Sequence, residues 1–194
     1  MRTNALVFAI AISGAISAQD LFTVRIDAGI GMLSIQERAN PVDAELSPYV
    51  GQGLAFGEQG PFLPTYGLKA EVGIKEKLAI GFGANYWQCS RDINYVLTDV
   101  TVDRYDERFL TFMPFANYYW LKRRESFSLY SGAHIGVSTF NSTSDGGSAV
   151  SKSKTLLAYQ LNAIGMRFGK GLGAFVELGY GYHGIVNAGA SVVF

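Results

Sequence analysis

Apolar and polar residues alternate along most of the chain with a period of two. The first such stretch begins near residue 22, where the apolar side chains occupy the even positions and Arg25 and Asp27 fall on the odd ones. A period of two places successive side chains on opposite faces of a β-strand. The pattern therefore predicts a strand with one apolar face and one polar face.

The same alternation recurs and predicts eight strands in all. They cover residues 22–32, 66–74, 78–86, 107–121, 127–138, 156–168, 174–180 and 186–194. Two of them are irregular. Pro114 removes a ladder hydrogen bond from the fourth, which suggests a bulge there. Arg167 falls on the apolar parity of the sixth, and either a bulge at Gly165 reverses that parity or Arg167 snorkels at the membrane edge.

The connections between these strands alternate in length. Segments 34–63, 90–106 and 141–153 are long, whereas 75–77, 122–126 and 169–173 are short. Long loops on one side and short turns on the other are typical of an outer-membrane barrel. The last connection, near His183, is an exception because it is tight on the loop side. We therefore predict an all-β fold, an eight-stranded antiparallel up-and-down transmembrane β-barrel.

The first 18 residues have the pattern of a secretory signal peptide. Arg2 is followed by an apolar run at 5–12 and by small residues up to Ala18. Cleavage after Ala18 would leave residues 19–194 as the barrel domain. The signal and the strand pattern together predict export to the outer membrane of a Gram-negative cell.

The composition excludes several classes of protein. The 16 basic and 16 acidic residues give a net charge of zero, without the basic excess of a nucleic-acid-binding protein. Aromatic residues reach 13% of the chain, which argues against disorder. A single cysteine cannot form an internal disulfide.

Aromatic residues near the predicted strand ends suggest two girdles at the membrane interfaces. The predicted girdle residues are Phe22, Trp120 and Phe127 on the turn side and Tyr66, Tyr86 and Tyr182 on the loop side. Ala190, Val192 and the final Phe194 share one face of the last strand. We interpret them as a C-terminal signal for the barrel assembly machinery.

Glycine and aromatic residues alternate through 159–173, and the closing run 174–194 ends in phenylalanine. With these features, the mature chain resembles the eight-stranded outer-membrane β-barrel family that includes OmpX and the OmpA transmembrane domain. The resemblance implies the fold and the membrane. It implies no particular activity.

Five charged residues share the polar parity of the strands: Arg25, Asp27, Lys69, Glu71 and Glu177. The interior of an eight-stranded barrel is only wide enough for side chains to fill. We therefore expect these charges to pair in one layer and to plug the lumen. The alternative interpretation of the same residues is a gate or a proton path.

The sequence favours a structural or surface role, with loops for adhesion or partner contact. The alternatives are a narrow channel, an accessory subunit of a larger outer-membrane complex and, remotely, a lipid-modifying hydrolase with His134 or His183 near a nucleophile such as Ser138. We predict no catalytic residue, metal site or cofactor. The expected partners are outer-membrane lipid, the barrel assembly machinery and a protein bound through loop 34–63 or 90–106, where an extended hairpin would offer a strand edge.

Overall fold

The computed structural model describes residues 23–35, 54–56, 63–95, 101–121, 126–144 and 151–194. The predicted signal peptide, Phe22, most of loop 34–63 and the basic part of turn 122–126 lie outside these residues. No helix in these ranges is long and apolar enough to cross a membrane, and this says nothing of crossing by strands.

Nine antiparallel strands make up the described structure, and eight of them close into a barrel, which confirms the predicted fold. The ninth, β2, is a three-residue strand that pairs with the outer part of β4. The strands are β1 Val24–Met32, β2 Leu54–Phe56, β3 Thr65–Lys75, β4 Leu78–Tyr95, β5 Thr101–Tyr119, β6 Phe127–Ser144, β7 Ser151–Phe168, β8 Leu172–Gly181 and β9 Val186–Val193.

Sequence neighbours pair around the barrel, and two further pairings complete it. β1 lies between β3 and β9, so that Arg25 is opposite Glu71 on one side and Val193 on the other. From β3 the sheet continues through β4 and β5, and each following strand pairs with the next as far as β9. This register brings the charges of β1 and β3 face to face across one ladder.

The outward face of the barrel is apolar over most of its surface. Large side chains there are about half exposed, with Leu68 at 56% and Ile135 at 61%. The polar side chains of the same strands are buried inside. A soluble barrel has the opposite arrangement, so this outward face is one that contacts lipid.

Four of the predicted girdle residues lie on this outward face: Tyr66, Tyr86, Trp120 and Phe127. The girdle prediction was wrong for Tyr182, which is only 5% exposed. Its ring packs inside the barrel against Met113 and Ala158 because the β8–β9 turn folds inward. Val192 lies in the last strand, which ends at Val193, and Phe194 follows it with its side chain exposed.

A bulge in β7 explains the position of Arg167. The pairing of β7 with β8 shifts between Asn162 and Ile164, and the side chains of Ala163 and Ile164 both face outward. The parity reverses there, so Arg167 is buried inside the barrel. A bulge was the correct interpretation, but it lies at Ala163 and not at Gly165.

Pro114 does not create a bulge. Its partner on β4 is Phe82, in unbroken register. The β5–β6 ladder omits Met113 and Pro114 and then resumes in the same register at Phe115. The proline therefore interrupts the ladder without shifting it.

The strands differ in length around the barrel. β4 to β7 have 18 or 19 residues each, whereas β1, β3, β8 and β9 have 8 to 11. About 9–11 residues cross a bilayer, so the four long strands extend well beyond it on the loop side. We call this extension the tall wall. Much of the predicted loops 90–106 and 141–153 is thus strand.

Candidate functional site

The five predicted lumenal charges meet in one buried network. Arg25 Nη2 lies 2.9 Å from Asp27 Oδ2 and 3.3 Å from Glu71 Oε2. Lys69 Nζ lies 2.5 Å from Glu177 Oε1 and 3.9 Å from Asp27 Oδ2. Asp27 therefore joins the two halves of the network across the lumen.

The network has three carboxylates and only two cations, and neutral donors supply hydrogen bonds to two of the carboxylates. Asn117 Nδ2 donates to Glu71 Oε2 over 2.6 Å, and the hydroxyl of Tyr119 donates to Glu71 Oε1 over 2.7 Å. Glu177 accepts corresponding bonds at 2.8 and 2.9 Å, from Tyr130 and Asn187. We call the five charges and these four donors the charge layer.

Aromatic rings complete the charge layer. The guanidinium carbon of Arg25 lies 4.9 Å from the centre of the Tyr130 ring, and Lys69 Nζ lies 4.5 Å from the centre of the Phe175 ring. Cation–π contacts of this kind are strongest where water is excluded. The sequence analysis missed the four neutral donors because it considered only charged residues, although all four lie on the lumenal parity of their strands.

Arg167 occupies the turn-side end of the lumen. Its Nε donates to Ser191 Oγ over 2.8 Å, and Nη2 donates to the carbonyl of Gly171 over 2.9 Å. Nη1 donates to the carbonyl of Gly169. The side chain thus binds the carbonyls of the β7–β8 turn from inside the barrel.

The β8–β9 turn folds into the loop-side mouth of the lumen. Gln160 Oε1 accepts a bond from the backbone N–H of His183 over 2.9 Å, and its Nε2 donates to the carbonyl of Gly184 over 3.1 Å. The carbonyl of His183 lies where a side chain on Gly31 would be, so only glycine fits there. We call this turn, held by Gln160, the inner lid.

The two histidines of the chain contact each other, one of them, His183, being part of the inner lid. Their ring centres are 4.9 Å apart in an edge-to-face arrangement, and His134 also stacks on Phe115 at 4.6 Å. His134 Nε2 lies 3.3 Å from the amide nitrogen of Asn162. His183, predicted at the rim, is instead only 2% exposed.

The hydrogen bonds near the histidines are made by neutral groups. Ser138 Oγ bonds to Thr111 Oγ1 over 2.7 Å, and His183 Nε2 has no hydrogen-bond partner among the described residues. No group of three or more His, Cys, Asp or Glu side chains in the described ranges could hold a metal ion.

An apolar cluster fills the lumen on the loop side of the lid. Trp87, Cys89, Phe109 and Phe140 pack together, with Phe109 and Phe140 ring centres 4.8 Å apart. Leu63 and Leu156 pack against them. From the turn side outward, the lumen therefore contains Arg167, the charge layer, the histidines with the inner lid, and this cluster.

The tall wall has one covered edge and one open edge. β2 pairs with β4 at Ile93 to Tyr95, so the edge predicted in segment 90–106 is partly occupied by the chain itself. On the opposite side, β8 pairs with β7 only from Gln160 to Phe168. Among the described strands, none pairs with that edge of residues 151–158, which we call the β7 edge.

No family model and no curated protein matches the sequence. The structure is similar to the N-terminal β-barrel domain of Pseudomonas aeruginosa OprF, with a TM-score of 0.51, 11% identity, and coverage of 89% of this chain and 97% of that chain. It is also similar to Ail of Yersinia pestis in complex with the heparin analogue sucrose octasulfate (TM-score 0.48, 15% identity, 89% and 96% coverage). A third similar structure is OprG from Pseudomonas aeruginosa (TM-score 0.44, 10% identity, 90% and 96% coverage).

The likeness to the OprF domain shows the fold of this chain. It is an eight-stranded antiparallel β-barrel, which confirms the fold that the resemblance drawn from the sequence implied. The apolar outward face agrees with an outer-membrane location.

Proposed function

We propose that this protein is a sealed outer-membrane barrel that presents the tall wall at the cell surface to bind an extended segment of a partner protein. The β7 edge carries the proposal. Barrels normally leave no strand edge open, because unpaired N–H and C=O groups recruit other chains. Here the strands of a closed barrel continue past the membrane, and among the described strands one such edge has no partner.

The side chains of the β7 edge suggest the chemistry of its partner. Thr155 and Leu157 are exposed, and Leu157 is 69% exposed. Lys154, which immediately precedes Thr155, is also exposed, and Lys152 lies two residues earlier in the sequence. An added strand would gain main-chain hydrogen bonds from the edge and charge complementarity from acidic residues beside the lysines.

The filled lumen supports a surface role over the rival role of a narrow channel. The charge layer and the apolar cluster consist of interlocking side chains, most of them less than 5% exposed. A steady ion path would require these groups to separate. The segments 34–63 and 90–106 remain candidates for additional partner contacts.

A short peptide tests the proposal directly. The probe is a fluorescent eight-residue peptide of alternating glutamate and valine, and its control is the same sequence with every backbone amide N-methylated, so that neither edge of the peptide can donate. We expect the folded barrel to bind the parent peptide and not the methylated one, since methylation removes the donors that a ladder needs.

Matched variants locate the binding site. Lys154→Glu should weaken peptide binding, whereas Arg108→Glu, an equal change of charge on β5 where both edges are paired, should change it much less at physiological salt. Equal binding of both peptides, or equal effects of the two variants, would contradict the assignment to the β7 edge.

A further inference from the structure

An apolar groove crosses the lipid-facing surface of the barrel over β4 to β8. Its volume is about 770 Å³. The floor consists of short residues, chiefly Ala116, Gly132, Ala133 and Ala163. The walls are formed by larger side chains on the same outward face: Tyr118, Leu161, Leu178 and Tyr180.

The β7 bulge lies in the floor of this groove. Ser131, opposite the bulge on β6, donates its hydroxyl to the carbonyl of Ala163 over 2.6 Å. The same hydroxyl accepts a bond from the indole N–H of Trp120 over 3.0 Å. The polar groups that the bulge releases are therefore satisfied locally, as a lipid environment requires.

The groove runs obliquely from one membrane surface towards the other. It begins at Leu78, the first residue of β4 on the turn side, and reaches Ile185 beside the inner lid on the loop side. It crosses five strands, and four spacings of about 4.8 Å make it roughly 19 Å long. Because strands of such barrels are tilted, a path across them also rises through the bilayer.

We propose that the groove binds one acyl chain of a phospholipid whose phosphate lies beside Lys77. The volume is that of a small-molecule site, and a helix about 10–12 Å wide would not enter it. On this face of the barrel, the surrounding solvent is hydrocarbon. The groove therefore holds a single chain more closely than the bulging surface around it.

The charge at the turn-side end identifies the phospholipid as the source of the chain. Lys75 and Lys77 are exposed there and flank Glu76, next to Leu78. This leaves one net positive charge where the groove opens. Short turns face the periplasm in such barrels, and basic residues near a membrane surface attract anionic headgroups.

Filling the floor tests the chain site. The folded barrel in detergent is supplied with phosphatidylglycerol, and bound lipid is counted by native mass spectrometry. Ala133→Leu with Ala163→Leu should lower lipid retention about tenfold, since it displaces buried methylenes. Ala70→Leu with Ala190→Leu, equal changes at outward positions outside the groove, should leave retention unchanged. Heat-shifted SDS mobility verifies folding, and Ala116→Leu replaces the double variant if that variant does not fold.

Headgroup dependence tests the source of the chain. Lys77→Gln should weaken retention of phosphatidylglycerol and leave retention of diacylglycerol unchanged. Equal retention by the filled variant would overturn the site. Preferential retention of lipopolysaccharide or of free fatty acid in competition, or retention independent of Lys77, would overturn its assignment to a phospholipid.

Discussion

Lys69 and Glu177 show what holds a charge inside a narrow barrel. The ammonium contacts two carboxylates and an aromatic face, and Glu177 accepts bonds from Lys69, Tyr130 and Asn187. The partners of Lys69 thus lie on β1 and β8, and those of Glu177 on β3, β6 and β9. Burial without such partners costs more than the ion pair contributes.

Removing one partner of this pair should cost much more than removing both. We expect Lys69→Met to destabilise the barrel by about 3–5 kcal/mol, because it leaves a buried carboxylate without its cation. Lys69→Met with Glu177→Gln should recover most of that loss. The measurement is urea unfolding in lipid vesicles, followed by tryptophan fluorescence.

The exposed Lys154→Met provides the control for this comparison and should change the free energy of unfolding by no more than about 0.5 kcal/mol. A double variant as unstable as Lys69→Met would show that pairing is not what holds Glu177 in place.

At this scale, the sequence located the charged residues but not their surroundings. Parity alone places Arg25, Lys69 and Glu177 inside, since any outward position would face lipid. It gives no sign that Tyr182 and His183 turn inward, because that depends on the space left by Gly31 and on the two bonds from Gln160. Those contacts join residues far apart in sequence.

Among the elements, β7 shows how one bulge affects several parts of the structure. The extra residue at Ala163 reverses the parity, turns Arg167 towards the β7–β8 turn and leaves the shallow floor of the groove. Gly165, the expected bulge, has a different role. A side chain there would lie 2.3 Å from the Tyr130 ring. Glycine is common both at bulges and at close contacts, so the sequence could not distinguish the two.

Deleting Ala163 should reverse the sign of the stability change that Arg167→Leu causes. In the intact barrel, Arg167→Leu removes several hydrogen bonds and should destabilise by about 1–3 kcal/mol. In the deletion variant, the long ladder of residues 151–162 should hold its register and turn Arg167 towards lipid, which costs up to about 2–4 kcal/mol at the midplane. There, Arg167→Leu should restore stability.

The readout for this pair of variants is the fraction of heat-modifiable protein after refolding into vesicles. Ala163→Gly keeps the residue count and should leave the assembly intact. Destabilisation by Arg167→Leu in both backgrounds would argue against the bulge as the element that sets the parity.

The tall wall marks where sequence patterns stop predicting strands. Inside the bilayer, one face of each strand contacts the lumen and the other contacts lipid, so polar and apolar residues alternate clearly. Above the bilayer, the outer parts of β6 and β7 are rich in Ser, Thr and Asn, and no apolar parity separates the faces. Periodicity therefore predicted only a loop at 141–153, whereas hydrogen bonding between neighbouring strands maintains the sheet. In 90–106, where apolar residues do alternate, the extended hairpin suggested by the sequence is present.

Taken as a whole, the molecule places four levels of packed side chains across its lumen. Arg167, the charge layer, the histidines with the inner lid, and the cluster around Trp87 lie one above another. Each level is held by different residues. A change at one level leaves the others in place.

This redundancy gives a clear expectation for conductance. The wild-type barrel in planar lipid bilayers should show no steady open current of porin size. Gln160→Ala, which releases the inner lid, should also remain closed because the charge layer lies deeper. A stable large conductance from the wild type, or from Gln160→Ala alone, would contradict the sealed lumen.

Because the strands differ in length, the barrel has a tall side formed by β4 to β7 and a short side formed by β8, β9, β1 and β3. A strand that adds to the β7 edge must arrive from one flank, above the short β8, β9, β1 and β3. In a crowded membrane, neighbours that press against the tall wall leave this flank accessible, whereas neighbours above the short strands obstruct it. If the proposed strand addition occurs, the rotational setting of the barrel among its neighbours therefore determines how many copies at the surface are competent to bind.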